Sequence, residues 1–552
     1  MKVHGLKKII YAAVVLLNVN VVNAAADFGS YDPSAQLNRE REEMERQRVW
    51  EQIQETEEAR NAKVEDEREK SAQTESDIKF ELTKIIFDES EILTAEELDG
   101  VTADFIGKDV TVNDLYTITE RVNKLYADKG YLTCRAFLSE QRIVNGVVKI
   151  TLVEGRTGNI IVTGNKHTRE SFIKKSVKLT EGEIANTQEL NRRLQMFNRT
   201  SDAPLRIVLR AGEQAGTTDY ELVIYEPPNQ SLTLYADNNG IETSGRWREG
   251  IFYRYRSLTG RRDALSLTYL RAKGLNSFGI GYSLPLNHHG MKLDIDYSAN
   301  SNEIIKGDFK PLGVKGHASA FNLTWRLPFN VDSFRRYETG LQYTYQKSTT
   351  DLGTKLDERL TWTDDKINRV APYVSFIHNG KDSVLYHKHA LIFTHRKDLT
   401  HTKYNDTIYQ LNLMYQKRFG GGQILQGRID AQYTNGKNLS SADRFYIGGA
   451  SSVRGYEESF LGGERGIVAS LEYQVPLNKK NNIMALAFVD GGKVSGETVL
   501  DDADKLWSTG LGLSFGIKNF FASLTVGFPL KKNFVAEKVD RCRVHFQTSL
   551  SF

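Results

Sequence analysis

The chain has 552 residues, with 73 Lys and Arg against 70 Asp and Glu, and the resulting net charge of +3 gives no ground for a nucleic-acid partner. Two cysteines, beside 25 Tyr, 26 Phe, 44 Gly and 10 Pro, are too few for a secreted fold built on disulfides. The mean hydropathy of −0.45 does not oppose membrane strands, which alternate polar and apolar residues.

The N-terminus reads as a secretory signal peptide over residues 1–26. Lys2, Lys7 and Lys8 precede an apolar run from Ile9 to Val22, and Ala24, Ala25 and Ala26 offer cleavage after Ala24 or Ala26. The run is shorter than the ~20 residues of a spanning helix and carries Asn18 and Asn20. No later apolar run is long enough for a membrane helix.

Residues 27–77 are charge-dense, with 16 Asp and Glu against 8 Lys and Arg, a net of −8. Pro33 can open a helix, and Ser34–Glu58 is rich in good helix formers. Its apolar residues, Leu37, Met44, Val49, Trp50 and Ile53, are too sparse for a wide buried face. Two readings fit: a solvated helix and linker, or a polar plug in a water-filled lumen.

Residues 78–156 and 157–228 read as two copies of one α+β unit. In the first, a strand at Phe80–Phe87 leads to helices near Ala95–Phe105 and Asn113–Lys129, then to strands Tyr131–Leu138 and Val147–Val153. Leu115, Ile118, Val122, Leu125 and Tyr126 share a helix face that Gly130 ends. The second has strand Asn159–Thr163, helices near Arg169–Leu179 and Thr187–Arg199, and strands Leu205–Arg210 and Asp219–Tyr225. Pro227-Pro228 makes a stiff joint to the C-terminal region. Cys134 and Cys542 fall in different regions and are expected as free thiols.

From 229 to 552 short alternating segments recur between polar turns. Leu265, Leu267 and Tyr269 alternate with Ser266, Thr268 and Leu270, and Leu293, Ile295 and Tyr297 with Asp294, Asp296 and Ser298. Leu411, Leu413 and Tyr415 alternate with Asn412 and Gln416, with Met414 as an exception. Such alternation puts apolar side chains on lipid and polar ones in a lumen, and at roughly 20 residues per strand and connection this region holds about 16 strands. They must close, because hydrocarbon cannot satisfy an open sheet edge. Val544, Phe546, Thr548, Leu550 and the terminal Phe552 lie on one face of the last strand, and Phe552 reads as a C-terminal barrel signal.

Two motifs go beyond texture. Val453-Arg454-Gly455-Tyr456 lies in a Gly-rich loop over 434–466, and Phe488-Val489-Asp490-Gly491-Gly492 has the form Phe-x-Asp-x-Gly. Placed after two α+β repeats, this pair resembles the two-partner secretion transporters (TpsB family). Gly130-Tyr131-Leu132 and Leu152-Val153-Glu154-Gly155 sit where such exporters carry similar text in the first POTRA domain. The resemblance covers essentially the whole mature chain. It implies a membrane β-barrel of about 16 antiparallel strands, preceded by two α+β POTRA domains and an N-terminal plug helix. It also implies a lumen loop whose tip brings Arg454 to the wall residue Asp490, with Phe488 and Gly492 beside it. A planar guanidinium suits a carboxylate, Gly455 lets the tip turn, and Tyr456 can pack while its hydroxyl stays bonded. The alternative is a static strut with no part in transport.

The function so implied is export of a large secreted protein (an adhesin, a haemolysin or a contact-dependent toxin) from the periplasm through an outer-membrane pore. Outer-membrane lipid and, during biogenesis, the barrel-assembly machinery are the other partners, and no cofactor or metal is called for. The alternative is an insertase of the barrel-assembly type, which typically has more POTRA repeats and lacks an acidic plug. Gly512-Leu513-Ser514-Phe515-Gly516 matches the letters of a nucleophile elbow, but lies in strand text rather than between a strand and a helix. No His-Glu-x-x-His or Walker A loop is present. His378, His387, His389, His395 and His401 cluster, and His387 and His389 would share a strand face, but no carboxylate or cysteine pattern completes a site.

Overall fold

The computed structural model describes residues 32–53, 63–66, 79–307, 309–353, 359–478, 480, 482–497, 504–534 and 539–552. The expected signal peptide lies outside the described residues, as do 54–62 and 67–78 of the linker. Pro33 opens the first helix, α1 (Pro33–Ile53). Next comes a two-residue strand, β1 (Glu65–Asp66).

The first α+β unit follows as β2 (Lys79–Glu81), β3 (Lys84–Phe87), α2 (Ala95–Thr102), β4 (Asp109–Thr111), α3 (Val112–Asp128), β5 (Cys134–Phe137) and β6 (Val147–Glu154). The single strand expected at Phe80–Phe87 is two, because Leu82 turns into the core and Thr83 bonds to Gly146 O at 2.9 Å. Capping boxes open both helices, Thr94 with Glu97 and Thr111 with Asp114. Leu115, Ile118, Val122 and Tyr126 are buried against β6, with Leu125 at the margin. Cys134 lies in this core, whereas Cys542 is exposed.

The second unit is β7 (Arg156–Thr163), α4 (Glu170–Val177), α5 (Thr187–Thr200), β8 (Leu205–Ala211) and β9 (Thr217–Ile224). Its sheet runs β1-β8-β9-β7, with β7 parallel to β9, and the first unit repeats the plan in β3-β6-β5 with β3 parallel to β6. Leu190, Leu194 and Phe197, spaced along one face of α5, close its core.

The remaining strands run in order. They are β10 (Gln230–Asp237), β11 (Arg248–Arg256), β12 (Ala264–Ala272), β13 (Leu275–Pro285), β14 (Lys292–Glu303), β15 (Lys315–Val331), β16 (Arg335–Gly353), β17 (Arg359–Asn379) and β18 (Ser383–Lys397). After them come β19 (Lys403–Arg418), β20 (Ile424–Thr434), β21 (Phe445–Ile447), β22 (Leu461–Gly463), β23 (Arg465–Pro476), β24 (Ile483–Ser495), β25 (Lys505–Ile517), β26 (Phe520–Pro529) and β27 (Arg543–Ser551). All but β21 and β22 form one closed antiparallel barrel, sealed where β10 meets β27 from Thr233↔Ser551 to Asp237↔Gln547. Ser266, Thr268, Asp294 and Asp296 line the lumen, while Tyr269, Ile295, Tyr297, Leu550 and Phe552 are exposed on the outside. Among the described residues no helix is long and apolar enough to cross a membrane.

The second unit packs on the barrel rim that carries the short 257–263 and 332–334 turns. Arg262 grips Asp202 through Nε at 2.8 Å and Nη2 at 2.6 Å, Arg199 Nη1 donates to Asp332 O at 2.5 Å, and Ser257 Oγ donates to His167 O at 2.9 Å. The Glu226 carboxylate, just before the double proline, accepts from the backbone N–H of His167 and Thr168 at 2.9 and 2.8 Å.

Candidate functional site: the plugged lumen and its anchored loop

Helix α1 runs down the lumen. Its first turn lies near the far rim, where Asn300 Nδ2 donates to Pro33 O at 3.1 Å, and Ile53 packs near the rim that meets the repeats, against a cluster of Ile377, Val384, Tyr386 and Met414. The seat is mostly polar. Ser277 Oγ donates to Glu40 at 2.5 Å, Arg248 Nη2 to Glu43 at 3.3 Å, Lys388 Nζ to Glu45 at 2.5 Å and Arg41 Nη2 to Asn322 at 2.6 Å. The few apolar residues find small apolar patches: Leu37 meets Ala318 and Ala320, and Val49 joins the Met414 cluster. Met414, the exception in its strand's alternation, therefore faces inward to meet the helix. A cavity of about 970 Å3 remains beside α1.

The segment between β20 and β23 folds back into the same lumen. Arg39 Nη1 of α1 donates to Ser459 Oγ at 3.1 Å, and Asn38 Nδ2 to Ala442 O at 2.7 Å, so the helix and the loop touch. At the loop tip, Arg454 and Asp490 meet in a bidentate pair, Nε to Oδ2 at 2.8 Å and Nη2 to Oδ1 at 2.9 Å. The Arg454 backbone N–H adds a bond to Oδ2 at 3.0 Å. A third member, Glu472, takes Nη1 at 2.5 Å, and Ser470 Oγ bonds both Arg454 at 3.1 Å and Asp490 at 2.7 Å. The guanidinium carbon lies 3.5 Å from the Phe488 ring centroid. Strand register makes this cage: β23 and β24 pair Ser470 with Asp490 and Glu472 with Phe488. Asp490 is fully buried and Arg454 nearly so.

Val453 and Tyr456 are buried beside Ile447, Val468, Val494 and Leu506. The Tyr456 hydroxyl lies 2.9 Å from Lys531 O and 3.1 Å from Trp507 O. Gly455 turns at φ +106 and leaves no room around it: a Cβ on Gly527 would stand 2.5 Å from Gly455 N. Gly492 faces the loop, where a Cβ would come 3.1 Å from Val453 Cγ2, whereas Gly491 faces the Trp507 ring instead. Glu472 was missed by sequence reasoning. The one signal for it was the polar face of β23, where Ser470, Glu472 and Gln474 alternate with Ala469, Leu471 and Tyr473.

Phe552 ends the sealing strand, its backbone N–H and C=O paired with Leu232. Gly512–Gly516 lies inside β25 with Leu511 and Leu513 exposed, so its letters have no strand–turn–helix setting. His387 Nδ1 sits 3.0 Å from His389 Nε2, among Phe376, His378 and Tyr409. Among the described residues no group of three or more His, Cys, Asp or Glu is placed to hold a metal.

A closed 16-strand barrel with an apolar exterior, a polar lumen filled by a helix and a loop, and two POTRA units at one rim defines an outer-membrane pore with its POTRA domains in the periplasm. Residues 217–515 match the family described as haemolysin secretion/activation protein ShlB/FhaC/HecB, and residues 80–155 match the ShlB-type POTRA domain. The chain belongs to this family of two-partner secretion transporters, outer-membrane pores that export a large secreted partner protein. The heme/hemopexin transporter protein HuxB of Haemophilus influenzae (strain 86-028NP) is 24% identical over 496 residues, 84% of this chain and 86% of that one. The outer membrane transporter CdiB of Dickeya dadantii (strain 3937) is 23% identical over 477 residues, 82% and 83% of the two chains. Among solved structures, CdiB from Escherichia coli matches with a TM-score of 0.71 at 19% identity, over 93% of this chain and 98% of that one. BamA from Haemophilus ducreyi, lacking its POTRA domains 1-3, shares the fold with a TM-score of 0.51 at 16% identity, over 86% and 100%.

Proposed function

We propose that this transporter exports an adhesin, a haemolysin or a contact-dependent toxin, with α1 as the resting plug and the Arg454–Asp490 pair as the anchor that keeps the loop seated in the lumen. The observation that carries this reading is the filling of the lumen: α1 runs its length on polar contacts to both wall and loop. A helix held by hydrogen bonds and ion pairs can leave a water-filled pore at modest cost, since water replaces its partners, whereas an apolar plug could not. The POTRA domains would take an unfolded segment of the partner by β-augmentation. The partner would then pass through the lumen, and folding outside would bias its direction.

The relatives' names include heme/hemopexin transport for HuxB, so the partner's class is open to direct test. The experiment co-expresses the chain with any long, repeat-rich reading frame found beside its gene and follows that product by protease shaving of intact cells. Surface partner that depends on this chain supports the reading. Partner that reaches the surface equally well without it sinks the reading.

A further inference from the structure

The strand β1 belongs to the linker between α1 and the first POTRA domain, yet it is built into the second one. Glu65 and Asp66 pair parallel with Val208 and Leu209, which makes β1 the edge of the POTRA 2 sheet. Just before it, Val64 packs against the POTRA 2 core, and its backbone N–H donates to Asn191 Oδ1 of α5 at 2.8 Å. Arg206 of β8 grips the Glu65 carboxylate through Nε at 2.8 Å and through Nη2. The chain's own segment thus fills the groove between α5 and β8, the place where an extended peptide would add to this sheet.

We infer that this groove is an acceptor for an extended segment of the exported partner, and that residues 63–66 hold its place at rest. The fitting segment presents an apolar residue at the Val64 position followed by a carboxylate for Arg206. Among the described residues the resident clip is small: one two-residue pairing, the packing of Val64, one side-chain bond and one exposed ion pair, so a longer strand can displace it. Displacement also changes the reach of the plug. With 63–66 docked, Ile53 is tethered by ten residues, at most ~35 Å of chain. With the clip released, the next described element is β2 at Lys79, and the chain length from Ile53 allows a reach of up to roughly 90 Å. The helix itself is about 30 Å long. The docked tether exceeds the helix length by only about 5 Å, so release of the clip widens the range over which α1 can leave the lumen and links capture of the partner to unplugging.

This inference rests on the export reading above, and secretion by the unmodified chain reports on that reading separately: a chain that exports nothing fails there, whatever the clip does. In a Cys542→Ser background, Glu65→Cys with Val208→Cys places two cysteines at paired positions, within disulfide reach of each other. Secretion of the co-expressed partner should fall at least tenfold once the bond forms, as verified by mass spectrometry. It should return on reduction and in either single-cysteine control. Unaltered secretion with the bond in place overturns the proposal, as do failure of the bond to form and failure to recover on reduction. The non-covalent counterpart is Arg206→Glu, which sets a carboxylate against that of Glu65. It should raise the open fraction of single channels in planar bilayers several-fold, and Glu65→Arg on top should reverse the gain. An unchanged open fraction in Arg206→Glu contradicts the tether.

Discussion

Arg454→Ala should be the most damaging single change in the lumen, because it strips the shared cation from two carboxylates at once. Among the described residues Asp490, fully buried, would keep as hydrogen-bond donors the Ser470 hydroxyl at 2.7 Å and the backbone N–H of residue 454 at 3.0 Å. Orphaning a buried charge costs about 3–5 kcal/mol. Asp490→Ala should be milder, about 1–3 kcal/mol, because a guanidinium left with other partners forfeits a charge-assisted bond without being stranded. Those partners are Glu472 at 2.5 Å, Ser470 at 3.1 Å and the Phe488 ring. The double mutant should therefore be less harmed than the sum, with a coupling of roughly 1–3 kcal/mol. Compensation should stay incomplete, because Glu472 then keeps only Gln474 at 2.7 Å, and Glu472→Gln should remove part of the residue. Native-state proteolysis of the 435–464 loop across a urea series, on barrels that remain heat-modifiable, reads the opening free energy directly. Additivity of the two single changes within about 0.5 kcal/mol would refute the anchor.

Deleting Asp27–Glu58 should raise single-channel conductance in planar bilayers, and unchanged conductance would mean that α1 does not block the pore. Removing Ile78–Tyr225 should leave a heat-modifiable barrel in the outer membrane and abolish secretion of the partner; continued secretion would move recognition into the barrel. Gly455→Ala should unseat the loop by about 1–3 kcal/mol, since a side chain there needs a strained backbone, and loop proteolysis at wild-type rate would contradict the tight tip. At Glu226, burial pushes the carboxyl up, but hydrogen bonds from the Thr168 hydroxyl and from the backbone of His167, Thr168 and Lys166 outweigh it and hold the group below the usual carboxylate range. A lowered folded pKa gives stability that is present above the unfolded value of about 4.3 and lost as pH falls through the folded one. Glu226→Gln should thus destabilise POTRA 2 and its joint to the barrel by about 1 kcal/mol at neutral pH, with the difference vanishing in acid. A pH-independent difference in thermal unfolding would speak against that account.

Much of the fold was legible because membrane strands must alternate: Asp294 and Asp296 face the lumen while Ile295 and Tyr297 face outward, as their sequence order required. The repeat helices were legible from helical spacing, as at Leu190, Leu194 and Phe197. Other features depend on contacts between distant segments, which local pattern does not encode. Glu65-Asp66 lies in a run of charged residues with no strand propensity, and it is a strand only because β8 offers an edge. Glu472 is one acid on a polar strand face, and only the register of β23 against β24 brings it to Arg454. Met414 looked like a break in alternation because the helix it meets lies more than 350 residues earlier in the chain. In α1 itself the periodicity is weak because enclosure by the barrel, rather than one apolar face, buries it.

Passage of the partner through the lumen is tested most directly by photo-crosslinking during export. A crosslinking residue placed at the lumen positions Ser277 or Thr344, in a strain actively secreting the partner, should form adducts with the partner chain. The same residue at the outward positions Tyr269 or Phe393 should form none. Adducts at the outward positions without any in the lumen would contradict export through this pore.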